Sequence, residues 1–542
     1  MRGGLPSRSA GVAGVLAIVM AVLMGVAGCS LTGRGASGSS SPASPGSPSA
    51  SVASPASPTP SSPSAGSSGV HTPPPGQEEL ASFYAQRLAW SACPGGQCAK
   101  LIVPVDYAEP SGPVVRISLL KVPAKGRRVG SLVVNPGGPG GSGVDYAKAA
   151  DRIVTPAIRS AYDVVGFDPR GVASSAPVSC LDAPQLDAFL GSDPTPDNPG
   201  EVTAAVANAK SFAAACKAHA GALLGHVSTI EAAKDMDVLR AALGEKQLTY
   251  LGKSYGTFLG ATYADLFPKS VGRFVLDGVV APDLTSEQVN LGQAQGFETA
   301  TRAYVASCIA QGNCPLGGTV DAGMQRLRDL LTGLDARPIP VTGDPRVKVL
   351  TEGWATLGLG FAMYDQRYWP ALTIALRQAL SGKGDVMMRL ADAYADRSAS
   401  NGSYEGNLLQ VISAVNCLDR ADSSNPAHYQ GDVTKFSTTA PTWGPYLAWG
   451  SLTCGYWPFK ANNKPKKISA TGSGPIVVVG TTRDPATPYA WAQQLAAELK
   501  DGHLITYNGD GHTAYMRSNS CVNDAVDGYL LKGTIPSAGL HC

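Results

Sequence analysis

The sequence predicts an α/β fold in which a mostly parallel, doubly wound sheet carries a largely helical insertion. Short β-branched runs recur between helical patterns, and several are apolar on consecutive positions, as strands buried on both faces are. That rhythm stops between Asp283 and Pro465 and resumes at Pro475, as an insertion late in the sheet would make it do. Strands alternating with helices imply a parallel sheet covered on both sides.

At the N-terminus, Arg2 and Arg8 precede an apolar run from Val12 to Val26 that ends in small residues, the layout of an export signal over residues 1–28. The run closes on Val26-Ala27-Gly28-Cys29, which resembles a bacterial lipobox. Cys29 is then expected to carry lipid and hold the protein on the outer face of the membrane; secretion after ordinary cleavage, with Cys29 unmodified, is the alternative. Residues 29–77 are dominated by Ser, Pro, Gly, Ala and Thr, too little apolar surface to offset ordering entropy, and are expected to be a tether. Setting Cys29 aside leaves ten cysteines of the eleven, an even number suited to an oxidising compartment. Short separations favour Cys93 with Cys98, Cys308 with Cys314, and Cys521 with Cys542. No C-x-x-C pair or His cluster has zinc spacing, so neither metal nor cofactor is expected.

The 542-residue chain is 44% hydrophobic and can bury a large core. With 43 basic residues against 41 acidic and no run of five like charges, nothing points to nucleic acid. A monomer acting on a peptide or small molecule is expected. A first core segment, 78–282, contains the strand runs Val114 to Val122, Ser131 to Asn135, Asp163 to Asp168, Leu248 to Leu251 and Arg273 to Asp277. Its clearest helix opens at Ser228, with Glu231 completing a capping box, and stops at Gly244. The insertion, 283–465, is rich in helix-like apolar spacing and carries Trp354, Trp369, Trp443, Trp449 and Trp457. A second core segment, 466–542, adds strands at Pro475 to Gly480 and His503 to Tyr507.

Chemistry enters at Gly252-Lys253-Ser254-Tyr255-Gly256, a G-x-S-x-G motif between a strand and the helix-like run Thr257 to Leu266. That setting is a nucleophile elbow, and it makes Ser254 the candidate nucleophile of an α/β-hydrolase fold. A serine hydroxyl needs a base and a group to orient that base, and in this fold they follow in the order Asp/Glu, then His. Downstream of Ser254 lie His428, His503, His512 and His541; only His512, in Gly509-Asp510-Gly511-His512, sits in a loop just past the last core strand. Asp484 leaves the C-terminal end of its strand, where sites in parallel sheets collect, and is preferred as the acid over Asp510. The loop Asn135-Pro136-Gly137-Gly138-Pro139-Gly140-Gly141 can bring amides to an oxyanion, with Gly138 and Tyr255 as the donors.

These residues, with Trp90-x-x-Cys93, Val103-Pro104-Val105-Asp106-Tyr107 and Asp168-Pro169-Arg170-Gly171, resemble the tripeptidyl aminopeptidase branch of the α/β-hydrolases, secreted actinobacterial relatives of proline iminopeptidases. One departure is Ala173-Ser174, where relatives often carry Gly before Ser. The resemblance implies release of short peptides from free N-termini and a carboxylate in the cap to hold the substrate ammonium. Asp419, in Cys417-Leu418-Asp419-Arg420, is the candidate anchor, with Glu405 as alternative and a structural Asp419–Arg420 pair as the bland reading. Two rival functions stay open: a carboxylesterase with the same triad, and a catalytically silent surface lipoprotein.

Overall fold

The computed structural model describes residues 70–542; the leader, Cys29 and the tether up to residue 69 lie outside the described residues. Strands β1 (Ser91–Cys93), β2 (Gly96–Pro104), β3 (Val114–Val122), β4 (Gly130–Asn135), β5 (Tyr162–Phe167), β6 (Leu248–Lys253) and β7 (Val271–Asp277) precede a long helical segment. That segment holds a small ribbon of β8 (Ile339–Pro340) and β9 (Val349–Leu350). The chain then rejoins the sheet as β10 (Ile476–Arg483), β11 (Gly502–Asp510) and β12 (Leu540–His541). Ten strands form one sheet in the order β1-β2-β3-β5-β4-β6-β7-β10-β11-β12. The β1 to β3 edge pairs antiparallel, and every contact from β4 onward is parallel.

The consecutive apolar runs follow from burial on both faces. Val133, Val165, Tyr250, Phe274 and Val478 pack into one core, while their neighbours Leu132, Val134, Val164, Leu251, Val275 and Val477 pack into the core on the other face. A third core, around Trp354, Trp369, Trp443 and Trp449, belongs to the helical segment. The sequence reading missed β1, β2 and β12: β1 and β12 are too short to show a period, and β2 alternates between buried and exposed residues with a proline at its end. In the structure the helix Pro199–Ala220 joins two cores, with Val202 and Ala209 against the helical segment and Phe212 and Cys216 against the sheet.

Among the described residues five disulfides are formed: Cys93–Cys98, Cys308–Cys314 and Cys521–Cys542, as spacing suggested, together with Cys180–Cys216 and Cys417–Cys454. The helix expected from the capping box spans Thr229–Ala242, with Ser228 and Glu231 bonded reciprocally. Two motifs quoted for the resemblance prove to be one joint. Arg170 donates to both carboxylate oxygens of buried Asp235 at 2.8 and 2.6 Å and to the carbonyls of Pro104 and Val105, and Tyr107 donates to the same Asp235. Ala173 stands at φ 42°, the left-handed region that explains why glycine suits this position.

Close backbone packing seats the helix that follows β4 on the sheet. A β-carbon on Gly166 of β5 would lie 1.9 Å from the carbonyl of Gly143, the first residue of the helix Gly143–Lys148. Backbone cannot yield as a side-chain tip can, so Gly166→Ala is expected to destabilise by about 1–3 kcal/mol or more. Thermal and denaturant unfolding of the variant check this; an effect below about 0.5 kcal/mol, the ordinary surface range, would refute it.

Candidate active site

The nucleophile elbow is built by strand register. β4 and β6 are neighbours with Asn135 opposite Gly252, so the loop after β4 and the turn after β6 leave the sheet side by side. Ser254 stands at φ 55°, ψ −127°, a strained conformation, and the helix Tyr255–Leu266 starts at the next residue. The flanking glycines are required by contact: a β-carbon at Gly252 would lie 2.3 Å from the Gly256 carbonyl, and one at Gly256 would lie 2.8 Å from Asn135 Oδ1. A β-carbon on Gly137 would meet Ser254 Cβ at 2.8 Å and the Tyr255 nitrogen at 3.1 Å, which places the glycine loop against the elbow. Tyr255 opens its helix, so its N–H has no partner within that helix.

Asp484 and His512 are brought together. His512 Nδ1 lies 2.9 and 3.0 Å from the two carboxylate oxygens of Asp484. That carboxylate is 2% exposed and also accepts from the amides of Ala486, Thr487 and Thr513. A carboxylate holding Nδ1–H selects the tautomer whose Nε2 lone pair is free to take a proton; Nε2 is buried and carries no hydrogen bond. Asp510 is turned away and pairs with Arg483 at 2.7 Å. From the helical segment, Tyr364 accepts the His512 N–H through its carbonyl at 2.9 Å and sets its ring edge-on to the imidazole at 5.2 Å.

A brace that sequence reasoning missed lies beneath these groups. Asp277, at the end of β7 and fully buried, accepts from the amides of Ala514 and Tyr515 just after His512, while its own carbonyl accepts the Ser254 N–H. Lys253 Nζ lies 3.4 Å from the same carboxylate and donates to the Tyr515 carbonyl at 2.6 Å. Burial lowers the Lys253 pKa, and Asp277 opposes that shift. The available signal was an acidic residue ending a core strand beside the nucleophile strand.

Ser254 and Gly138 open onto a cavity of about 450 Å³ that is walled mostly by the helical segment and by residues 189–209. Among the described residues lining it, Asp193 is the one carboxylate and Arg420 the one cation. Asp193 Oδ1 accepts the Thr195 amide at 2.8 Å, whereas Oδ2 is buried with no partner. Burial, then the nearby Glu201 and Asp197, raise the Asp193 pKa. Asp193, Glu201 and Asp335 hold carboxylate oxygens within 4.8 Å of one another, so this part of the wall is negative.

Neither expected ammonium anchor lines the cavity, and both are corrected here. Asp419 is 1% exposed and turns away from it, accepting the backbone N–H of Thr229 at 2.9 Å and its hydroxyl at 2.5 Å. The carboxylate thus sits at the N-terminus of the helix Thr229–Ala242, a favourable place for negative charge. It makes no ion pair with Arg420 within 4 Å either, so the bland reading also changes partner. Glu405 is exposed, on the loop before the helix Leu408–Asp419. Sequence adjacency to a cysteine could not tell which way a side chain at a helix end would point.

A strained serine after a parallel strand, beside a glycine loop and a carboxylate-held histidine, defines an α/β-hydrolase with a serine nucleophile elbow. The comparisons agree. The family described as TAP-like protein matches residues 440–542. The chain is 37% identical to serine protease Hip1 of Mycobacterium tuberculosis, over 84% of this chain and 91% of that one. It is 37% identical to carboxylesterase B of the same organism, over 87% and 92%, and 34% identical to tripeptidyl aminopeptidase of Streptomyces lividans, over 82% and 83%. The chain belongs to the TAP-like family of α/β-hydrolases, and it is a serine hydrolase, of the peptidase or carboxylesterase kind.

Two outcomes are expected. A fluorophosphonate should label the wild type and not Ser254→Ala, and Asp484→Asn should lower kcat by roughly 10⁴-fold through loss of the required tautomer; labelling retained in Ser254→Ala would remove Ser254 as nucleophile. Burial raises the Asp419 pKa from 3.8 to about 6. The folded state therefore keeps a proton that the unfolded chain releases, and this stability is fully present below pH 3.8 and lost as pH rises through about 6, a cost on the order of 3 kcal/mol. Against Asp419→Asn, the wild type should lose Tm across that window, and a constant difference would contradict it.

Proposed function

We propose that the protein is an exported, lipid-anchored aminopeptidase that releases short peptides, tripeptides in the first instance, from free N-termini. The observation that carries this reading is the Asp193 carboxylate, half buried, with one oxygen unpartnered, on the wall of the cavity that holds Ser254. An ammonium there would gain a charge-assisted hydrogen bond and relieve the repulsion among Asp193, Glu201 and Asp335. The 34% identity to a tripeptidyl aminopeptidase supports the same class. Export and the lipid on Cys29 rest on the sequence pattern of residues 1–29, and the five disulfides suit an oxidising compartment.

In the proposed reaction, Ser254 Oγ attacks the scissile carbonyl carbon as its proton passes to His512 Nε2, and the resulting oxyanion is held by the N–H groups of Gly138 and Tyr255. Asp484 stabilises the imidazolium. The C–N bond then breaks, His512 returns the proton to the leaving amine, and water repeats the sequence on the acyl-enzyme. The second reading, carboxylesterase, is favoured by the 37% identity to carboxylesterase B, because the same acyl transfer serves esters.

Hydrolysis of a free-amine tripeptide arylamide, its N-acetylated twin and a short-chain nitrophenyl ester separates the two readings. The aminopeptidase should cleave the free-amine amide and not the acetylated one, with Ser254→Ala inactive. Asp193→Asn should raise KM for the free-amine substrate roughly ten- to hundred-fold, the worth of a hydrogen bond to a charged group, and spare the ester. Ester turnover without amide turnover would establish the carboxylesterase.

A further inference from the structure

The cavity wall carries a second charge that the proposed reaction leaves unused. Arg420 follows the helix Leu408–Asp419, which the Cys417–Cys454 disulfide ties to the turn Leu452–Tyr456. Its side chain is held at two points: Nε donates to the Leu284 carbonyl at 2.9 Å, and the guanidinium carbon stands 4.7 Å from the centre of the Phe258 ring. Phe258 lies one turn beyond Ser254 on the helix that begins at Tyr255, and Arg420 and Ser254 line the same cavity.

The outer end of the group has no such role. Arg420 is 7% exposed and lines the cavity, and its Nη2 is buried without a hydrogen-bond partner. Among the described residues no carboxylate stands within ion-pair distance, since Asp419 is committed to Thr229. A buried guanidinium N–H left unpaired costs more than most unmade hydrogen bonds. Bracing the Leu284 loop would need only Nε and the stacked face, and that is already provided.

We infer that Arg420 is a specificity-determining residue that receives a carboxylate of the substrate beside the reacting bond. A planar fork of N–H donors matches a carboxylate in two hydrogen bonds, and a desolvated site strengthens them. With Asp193 on the same wall, the cavity presents one negative and one positive group, and a short zwitterionic or acidic peptide complements both. The carboxylate has two sources: the free C-terminus of the leaving fragment, or an acidic side chain near the cut. The inference deepens the peptidase reading, yet the carboxylate preference is measurable on esters as well.

The test compares kcat/KM within matched pairs for the full chain as wild type, Arg420→Met and Arg420→Lys. One pair is a free-amine tetrapeptide and its C-terminal amide; a second is a tripeptide arylamide with Glu or Gln as the residue before the arylamide. A third, for use if no amide is cleaved, is the nitrophenyl half-ester of succinate and nitrophenyl butyrate. The wild type should favour the carboxylate member of at least one pair by roughly ten-fold or more, with Arg420→Met bringing the ratio near one and Arg420→Lys keeping part of it. Preference in the first pair assigns the leaving fragment, and preference in the second assigns the side chain. No preference in any wild-type pair overturns the inference, whether or not the variants fold. So does an equal loss on both members in Arg420→Met, the signature of a brace. Cleavage of the neutral arylamide itself reports on the peptidase reading separately.

Discussion

Everything at the site depends on how closely three stretches of backbone approach one another where β4 and β6 end. The Gly137 loop, the strained Ser254 and the first turn of the helix behind it occupy space in which no β-carbon fits at residues 137, 252 or 256. That contact puts a serine hydroxyl beside a loop of amides and aims the N-terminus of the helix Tyr255–Leu266 at the same point, so positive potential is in place before any substrate arrives. The strain at Ser254 is held by parallel pairing on both sides of β6 and by the hydrogen bond from its N–H to Asp277.

The same strands carry the rest of the machinery outward. Asp277 ends β7, Asp484 follows β10 and His512 follows β11, so neighbouring strand ends deliver a brace, a carboxylate and an imidazole in spatial order. Asp277 and Lys253 grip the backbone after His512 from below, and Tyr364 holds the N–H of His512 from above. The imidazole is thereby positioned by the sheet and by the helical segment together, which couples the wall of the cavity to His512.

Charge divides the labour inside that wall. Asp419, Arg170 and Asp235 are buried and satisfied: Asp419 joins two helices, and the Arg170–Asp235 pair ties a helix to the end of β2. Asp193 and Arg420 line the cavity, and each has a buried atom without a hydrogen-bond partner. Proteins ordinarily satisfy such groups internally, and it is on these two that the proposed reading of substrate charge rests.

By itself the sequence determined the fold class and the seven central strands β3 to β7, β10 and β11, and it brought out Ser254, Asp484 and His512 as candidates, because each depends on a local pattern: consecutive apolar runs, small residues around a serine, and the ends of strands. It also determined three of the five disulfides, where separation was short. What only the tertiary structure decided were the contacts between segments far apart in the chain. Asp193 reaches the cavity because a loop before the nucleophile folds into its wall, Asp277 braces a loop more than 230 residues away, and Asp419 faces Thr229 rather than the substrate space. The direction of a side chain at a helix end and the partner of a distant carboxylate are set by packing among cores, and no local period records them.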